Sequence, residues 1–302
     1  DSARHRRSKA LTTPRLKVTR HRMPWPTSGL RGNMGAAIWA IRARVLVLLA
    51  TPAVAHAADY PWLAGAKPTR TIESALAPPA GYKRIALDGK GFGAWLRGLP
   101  LLPAGTLVHL YDGRLKLNQL AHTAVVDLDV GKQDLQQCAD AVIRLRAEYL
   151  WAVGRKTEIG FHRTDGKFLQ WKGGDRAAFA RYLRGVFIYA GTLSVSKRIP
   201  KPPADAVLEP GDVLVRGGSP GHAVLVLDAA EDAQGHRVVL IGQSYMPAQQ
   251  FQVLRNPLDV GLSPWYRAIA IDGGLGLQTP EWPAFHRADV RRFPASQPKR
   301  AR

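Results

Sequence analysis

The chain has 302 residues, 46% of them hydrophobic, which suits one large domain or two small ones. Its formal net charge of +20 suggests nucleic acid, yet the distribution excludes a folded nucleic-acid-binding face: residues 1–57 carry 11 Lys/Arg and one acid, residues 287–302 carry 6 and one, and the centre holds 26 basic and 21 acidic residues. A single cysteine, Cys138, excludes an internal disulfide.

Residues 1–33 read as disordered Arg- and Pro-containing sequence, an upstream extension to be left out of fold reasoning. From Met34 to Ala57, Arg42 and Arg44 precede an apolar core at Val45–Ala50 and a small-x-small site at Ala55-His56-Ala57. That is the pattern of a secretory signal peptide, with an uncleaved anchor as the alternative; the run is too short for a stable membrane span after cleavage. Export would make a lone thiol notable, as a buried core residue or as a nucleophile.

Residues 58–90 are Pro-bearing and lack a period, so they read as an irregular lead-in to a single α+β domain over 91–286, followed by a disordered basic tail at 287–302. Phe92–Leu99 is a short helix stopped by Pro100. TLVHLY (106–111) and HTAVVDLDV (122–130) read as strands. A helix follows, with Asp134 as N-cap and Leu135, Cys138, Val142, Leu145 and Tyr149 on one face at spacings of three and four. EIGFHRTDGKFLQW is a hairpin turning at Asp165-Gly166, and DRAAFARYLRGVFIYAG a helix capped by Asp175 and ended by Gly191. GDVLV, GHAVLVLD, HRVVLIGQ and WYRAIAI then read as antiparallel strands. Helices and strands are segregated, which argues α+β rather than a doubly wound sheet. The chain has no Gly-rich nucleotide loop and no GxSxG, and no cofactor is implied. His109, His122, Asp127 and Asp129 lack a metal-ligand spacing, so no metal site is expected.

Thiol hydrolases need a thiolate, an imidazole to shuttle its proton, and a polar group to orient the ring. Cys138 lies near the start of its helix, where unpaired N–H groups lower a thiol pKa. His222 heads a strand, and Gln243 ends the next one. Gln136, Gln137 and the helix-start amides are candidate oxyanion donors. Ser244 and Tyr245 in the QSYMPAQQ loop, and Asn118 and Gln119 before an apolar strand, are candidates for lining the same cleft. The Trp residues at 95, 151, 171, 265 and 282 are expected in the core.

Gly211–Val215 followed by Gly221-His222-Ala223-Val224-Leu225-Val226 resembles the GDxxxF…GHVGI segment of papain-like NlpC-type and CHAP-type cysteine peptidases, which cut peptidoglycan stems. The resemblance implies a papain-like core, an antiparallel sheet packed on the Cys-bearing helix, with Cys138 as nucleophile, His222 as base, Gln243 as its orienting partner and a peptide or peptidoglycan-like substrate. A non-catalytic envelope binding protein of the same fold is the alternative. WLRGLPL, LYDGRLKLNQ, DVGKQDLQQCADAVIRLRAEYLW, GDVLVRGGSPGHAVLVLD, QSYMPAQQ, SPWY and TPEW also resemble a bacterial family defined by a domain of unknown function, number 4846, over about Phe92 to Trp282. That likeness implies no activity, and the pattern gives no oligomeric state.

Overall fold

The computed structural model describes residues 59–295, so the expected upstream extension, the expected signal peptide and residues 296–302 lie outside the described residues. In chain order the elements are α1 (Ile72–Ala75), β1 (Lys83–Arg84), α2 (Phe92–Arg97), β2 (His122–Val125), α3 (Cys138–Ala152), β3 (Gly160–His162), β4 (Phe168–Gln170), α4 (Arg176–Tyr189), α5 (Thr192–Arg198), β5 (Asp212–Arg216), β6 (His222–Glu231), β7 (Arg237–Gln243), β8 (Gln252–Leu254), β9 (Trp265–Arg267), β10 (Leu277–Thr279), β11 (Trp282–Phe285) and β12 (Val290–Arg292). The class is α+β, as expected.

The main sheet runs β12-β5-β6-β7-β8-β2, with β1 added beside β6 and β9 beside β7, and every pairing is antiparallel. β6 is central and covered on both faces, which is why its sequence is an apolar run rather than an alternation. Ala223, Leu225 and Leu227 face a core shared with α2, α3 and α4; Val224 and Val226 face a second core built with Tyr266, Leu277 and Phe285. His222 falls in step with Val224, opposite Arg216 of β5.

α3 departs from the one-stripe helix that its spacing suggests. It is buried almost all round, and its polar residues are buried with it. Glu148 receives Arg144 Nε at 2.8 Å and both terminal nitrogens of Arg176 at 2.8 Å, which ties α3 to α4. Asp228 of β6 similarly accepts from Arg84 Nε at Oδ2 and from Arg97 Nε at Oδ1, both at 2.7 Å, and so draws the lead-in onto the sheet. The lead-in is thus partly regular: α1 and β1 lie within it, and Tyr60, Ile72 and Leu76 join the first core.

Other expectations change in the same way. The helix begins at Cys138, with Gln137 as N-cap; Asp134 accepts instead from Gln137 Nε2 and from the Ala248 N–H. TLVHLY forms only isolated bridges, His109 to Leu115 and Leu110 to Gln249, because no layer covers Leu107 and Leu115. Gly191 caps the N-terminus of a further helix, α5, rather than simply ending α4, whose Asp175 cap holds at 2.8 Å to Ala178 N. The hairpin at Asp165-Gly166 is present, and Gly166 adopts the positive φ that the turn needs. β8 has no counterpart in the sequence reading. The expected basic tail begins as structure: β12 pairs with β5, and Arg292 clasps Asp212 at 2.6 and 2.8 Å. Of the five Trp residues, 95, 171 and 265 are buried, and 151 and 282 are half-buried. No helix of the described residues is long and apolar enough to cross a membrane.

Candidate functional site

The hairpin of β6 and β7 brings the start of one strand beside the end of the other, so His222 and Gln243 are neighbours by topology. His222 Nε2 lies 2.8 Å from Gln243 Oε1, and Gln243 Nε2 donates to Glu281 Oε2 at 2.7 Å. Lys116 Nζ reaches the same carboxylate oxygen at 2.6 Å. The chain of donors determines its own polarity. A carboxylate only accepts, so the Gln243 amide presents its NH₂ to Glu281 and its carbonyl to the ring. The ring must then donate through Nε2–H, which leaves Nδ1 with the lone pair. Burial pulls the His222 pKa down to about 4, against the partial support of Gln243, so the ring is neutral at pH 7. Burial also lowers the Lys116 pKa, with Glu281 opposing it.

His222 is only 1% exposed. Tyr245, Trp282 and Phe285 enclose the ring at centroid distances of 4.8, 5.2 and 6.1 Å. The Tyr245 hydroxyl donates to the Glu281 carbonyl at 3.1 Å, fixing the loop after β7 to the segment before β11.

Cys138 opens α3, the helix that packs on the first core of the sheet. Its thiol is 6% exposed, and burial pushes its pKa up to about 11; the Ala223 backbone, next to His222, pulls it the other way. The expected lowering by the helix end is therefore outweighed by desolvation, and Asp140, whose own carboxyl is pushed well above its usual range by burial, adds to the rise. The thiol meets the Ala223 backbone, and the imidazole belongs to the preceding residue, His222. Among the described residues no hydrogen bond joins them.

The other expected residues divide by role. Ser244 Oγ is fully buried and bonds the carbonyls of Gln249 at 2.7 Å and Gln136 at 3.1 Å, so it sutures the loop to the start of α3. Gln137 Nε2 donates to Asp134 at 2.9 Å. Gln119 holds Val108 N and O and the Lys116 carbonyl, at 3.0, 2.9 and 2.8 Å, and so positions Lys116. Asn118 is exposed, and Tyr245 alone of this group touches the imidazole. His109 and His122 bind the carbonyls of Leu107 and Thr106, and among the described residues no three His, Cys, Asp or Glu side chains gather as a metal site.

Sequence reasoning missed Glu281, Lys116 and Trp282. The TPEW and GRLKLNQ patterns contain them, but nothing in either segment points to the other. It also missed Gln252, the cross-strand partner of Gln243, whose buried amide has no hydrogen-bond partner at either atom among the described residues.

The profile of the family described as Domain of unknown function (4846) matches residues 72–179 and 172–292, which together span the main sheet and all the residues just described. No curated protein and no solved structure matches the chain.

Proposed function

Starting from a chain that belongs to the family of domain of unknown function 4846, we propose that it is a thiol-dependent hydrolase of amide bonds, exported and acting on peptide or peptidoglycan-like substrate. The observation that carries this is the hydrogen bond from His222 Nε2 to Gln243 Oε1, backed by Glu281. It reserves Nδ1 as a base, in a ring held by an amide as in papain-like enzymes, at the strand end that abuts a helix-start cysteine. The Cys138 thiol gives its proton to Nδ1 as sulfur attacks the amide carbon. The Cys138 and Ala139 N–H groups at the start of α3, which face the resting sulfur, turn to stabilise the oxyanion, and the imidazolium passes the proton to the leaving amine. Water then attacks the thioester, loses its proton to His222 and frees the acid, while the thiol recovers that proton.

With the thiol at about 11 and the ring at about 4, the resting pair is neutral. Proton transfer in this reading therefore accompanies attack, and the Cys138 side chain must leave the Ala223 N–H for the ring. The same two shifts, and the closure of His222, favour a second reading: a binding protein of this fold in which the pair is structural. Purified cell wall incubated with the protein separates them by mass analysis of released fragments. Hydrolysis that is lost in both Cys138→Ser and His222→Ala supports the enzyme. Intact wall that is bound but never cut supports the second reading and overturns the first.

A further inference from the structure

A cavity of about 470 Å³ opens at the other end of α3, between that helix, α2 and the segment after β12. This is within the range of small-molecule sites. Arg146 lines it, eight residues and so about 12 Å along the helix from Cys138, which makes this a separate place from the candidate active site. Arg146 is 3% exposed and, among the described residues, makes no ion pair with a carboxylate. Its guanidinium lies 5.1 Å from the Phe92 ring centroid, 5.2 Å from Tyr149 and 5.1 Å from Phe293. Nη2 donates to the Pro294 carbonyl at 2.8 Å, and Nε is buried with no acceptor among the described residues.

A buried guanidinium without an anion is costly, and rings compensate it only in part. The neighbouring arginines in the wall are already matched: Arg155 forks onto Glu158 at 2.6 Å, and Arg292 pairs with Asp212 and Glu209; Lys90, also in the wall, is exposed. Arg146 is the buried cation of that wall with no carboxylate in ion-pair contact among the described residues, and Glu158 acts on it only from beyond that distance. Asp88 and Glu209 also line the cavity, so a dianion would meet about twice the repulsion that a monoanion would.

We infer that this cavity binds a small organic monocarboxylate, its carboxylate on Arg146 and an apolar or aromatic body against Phe92 and Phe293. Guanidinium suits a planar carboxylate because two N–H groups can donate in parallel.

Benzoate and inorganic phosphate, titrated separately into the full chain by calorimetry, test this. Benzoate should bind, weaken with added salt, and bind more tightly than phosphate. Arg146→Gln should weaken benzoate at least about tenfold, the scale of a charge-assisted hydrogen bond. Because that residue also supports the core, Val153→Trp gives an independent reading: Val153 is partly exposed at the end of α3 and lines the cavity, so a large ring there fills the space while the fold stays intact by circular dichroism. It should abolish benzoate binding. The inference is overturned by absence of benzoate binding at 20 mM, by tighter binding of phosphate, or by unchanged binding in Val153→Trp. It also falls if benzoate binds only after residues 296–302 are removed, since the chain itself would then be the occupant.

Discussion

Acid should destabilise the fold through His222 by an amount that can be isolated. The imidazole is held neutral by burial, with its pKa drawn from 6.5 to about 4. Between those values the unfolded chain binds a proton that the folded chain refuses, so stability falls as pH drops through 6.5 and continues to fall until about 4. At ~1.36 kcal/mol per pK unit the full loss is about 3 kcal/mol. Other groups titrate in the same window; Asp140, raised by burial, works in the opposite direction and favours the fold as pH drops. The measurement is therefore a difference. Urea unfolding of the native protein and of His222→Gln, from pH 7.5 to 4, gives two curves in which the other groups cancel. Native minus variant should be flat above pH 7 and decline by about 3 kcal/mol toward pH 4, with imidazole ¹⁵N shifts reporting Nε2–H throughout the folded range. A flat difference would refute the burial argument, and a ring that carries its proton on Nδ1 would refute the donor chain from Glu281.

Glu281→Gln should cost about 3–5 kcal/mol in urea unfolding, because it strands the Lys116 ammonium in a nearly closed site, and Lys116→Met in the same chain should restore most of the loss. Failure of the second change to rescue the first would show that the pair is not coupled. Cys138, with its thiol at about 11, should react with iodoacetamide at pH 7 ~300-fold more slowly than a free thiol of pKa ~8.5. Labelling at the free-thiol rate would place the sulfur in water. Glu148→Gln should destabilise by about 3 kcal/mol or more, since Arg144 and Arg176 both depend on that carboxylate, and circular dichroism melts would register it. A loss below about 1 kcal/mol would mean that water reaches the cluster.

Much of the frame follows from local pattern. The apolar run of GHAVLVLD, the turn at Asp165-Gly166 and the Asp175 cap each depend on near neighbours, and each appears where the sequence puts it. The contact of His222 with Gln243 belongs to this class as well, because an antiparallel hairpin joins the start of its first strand to the end of its second. β8 and β12 are different: three-residue strands carry too little pattern to be read, and they exist because a long partner offers them hydrogen bonds. TLVHLY shows the converse. It is apolar enough to read as a strand, but Leu107 stays exposed and the segment makes only isolated bridges.

The sequence by itself determined which residues could carry chemistry and that His222 and Gln243 would meet. Tertiary structure alone decided their charge states and their backing. Glu281 lies 165 residues from Lys116, and no local rule joins them. The helix end that should acidify Cys138 is a local effect, confined to its first turn. Desolvation is set by whatever segments pack over a group, and here it reverses the sign of the shift at the thiol and keeps the imidazole neutral.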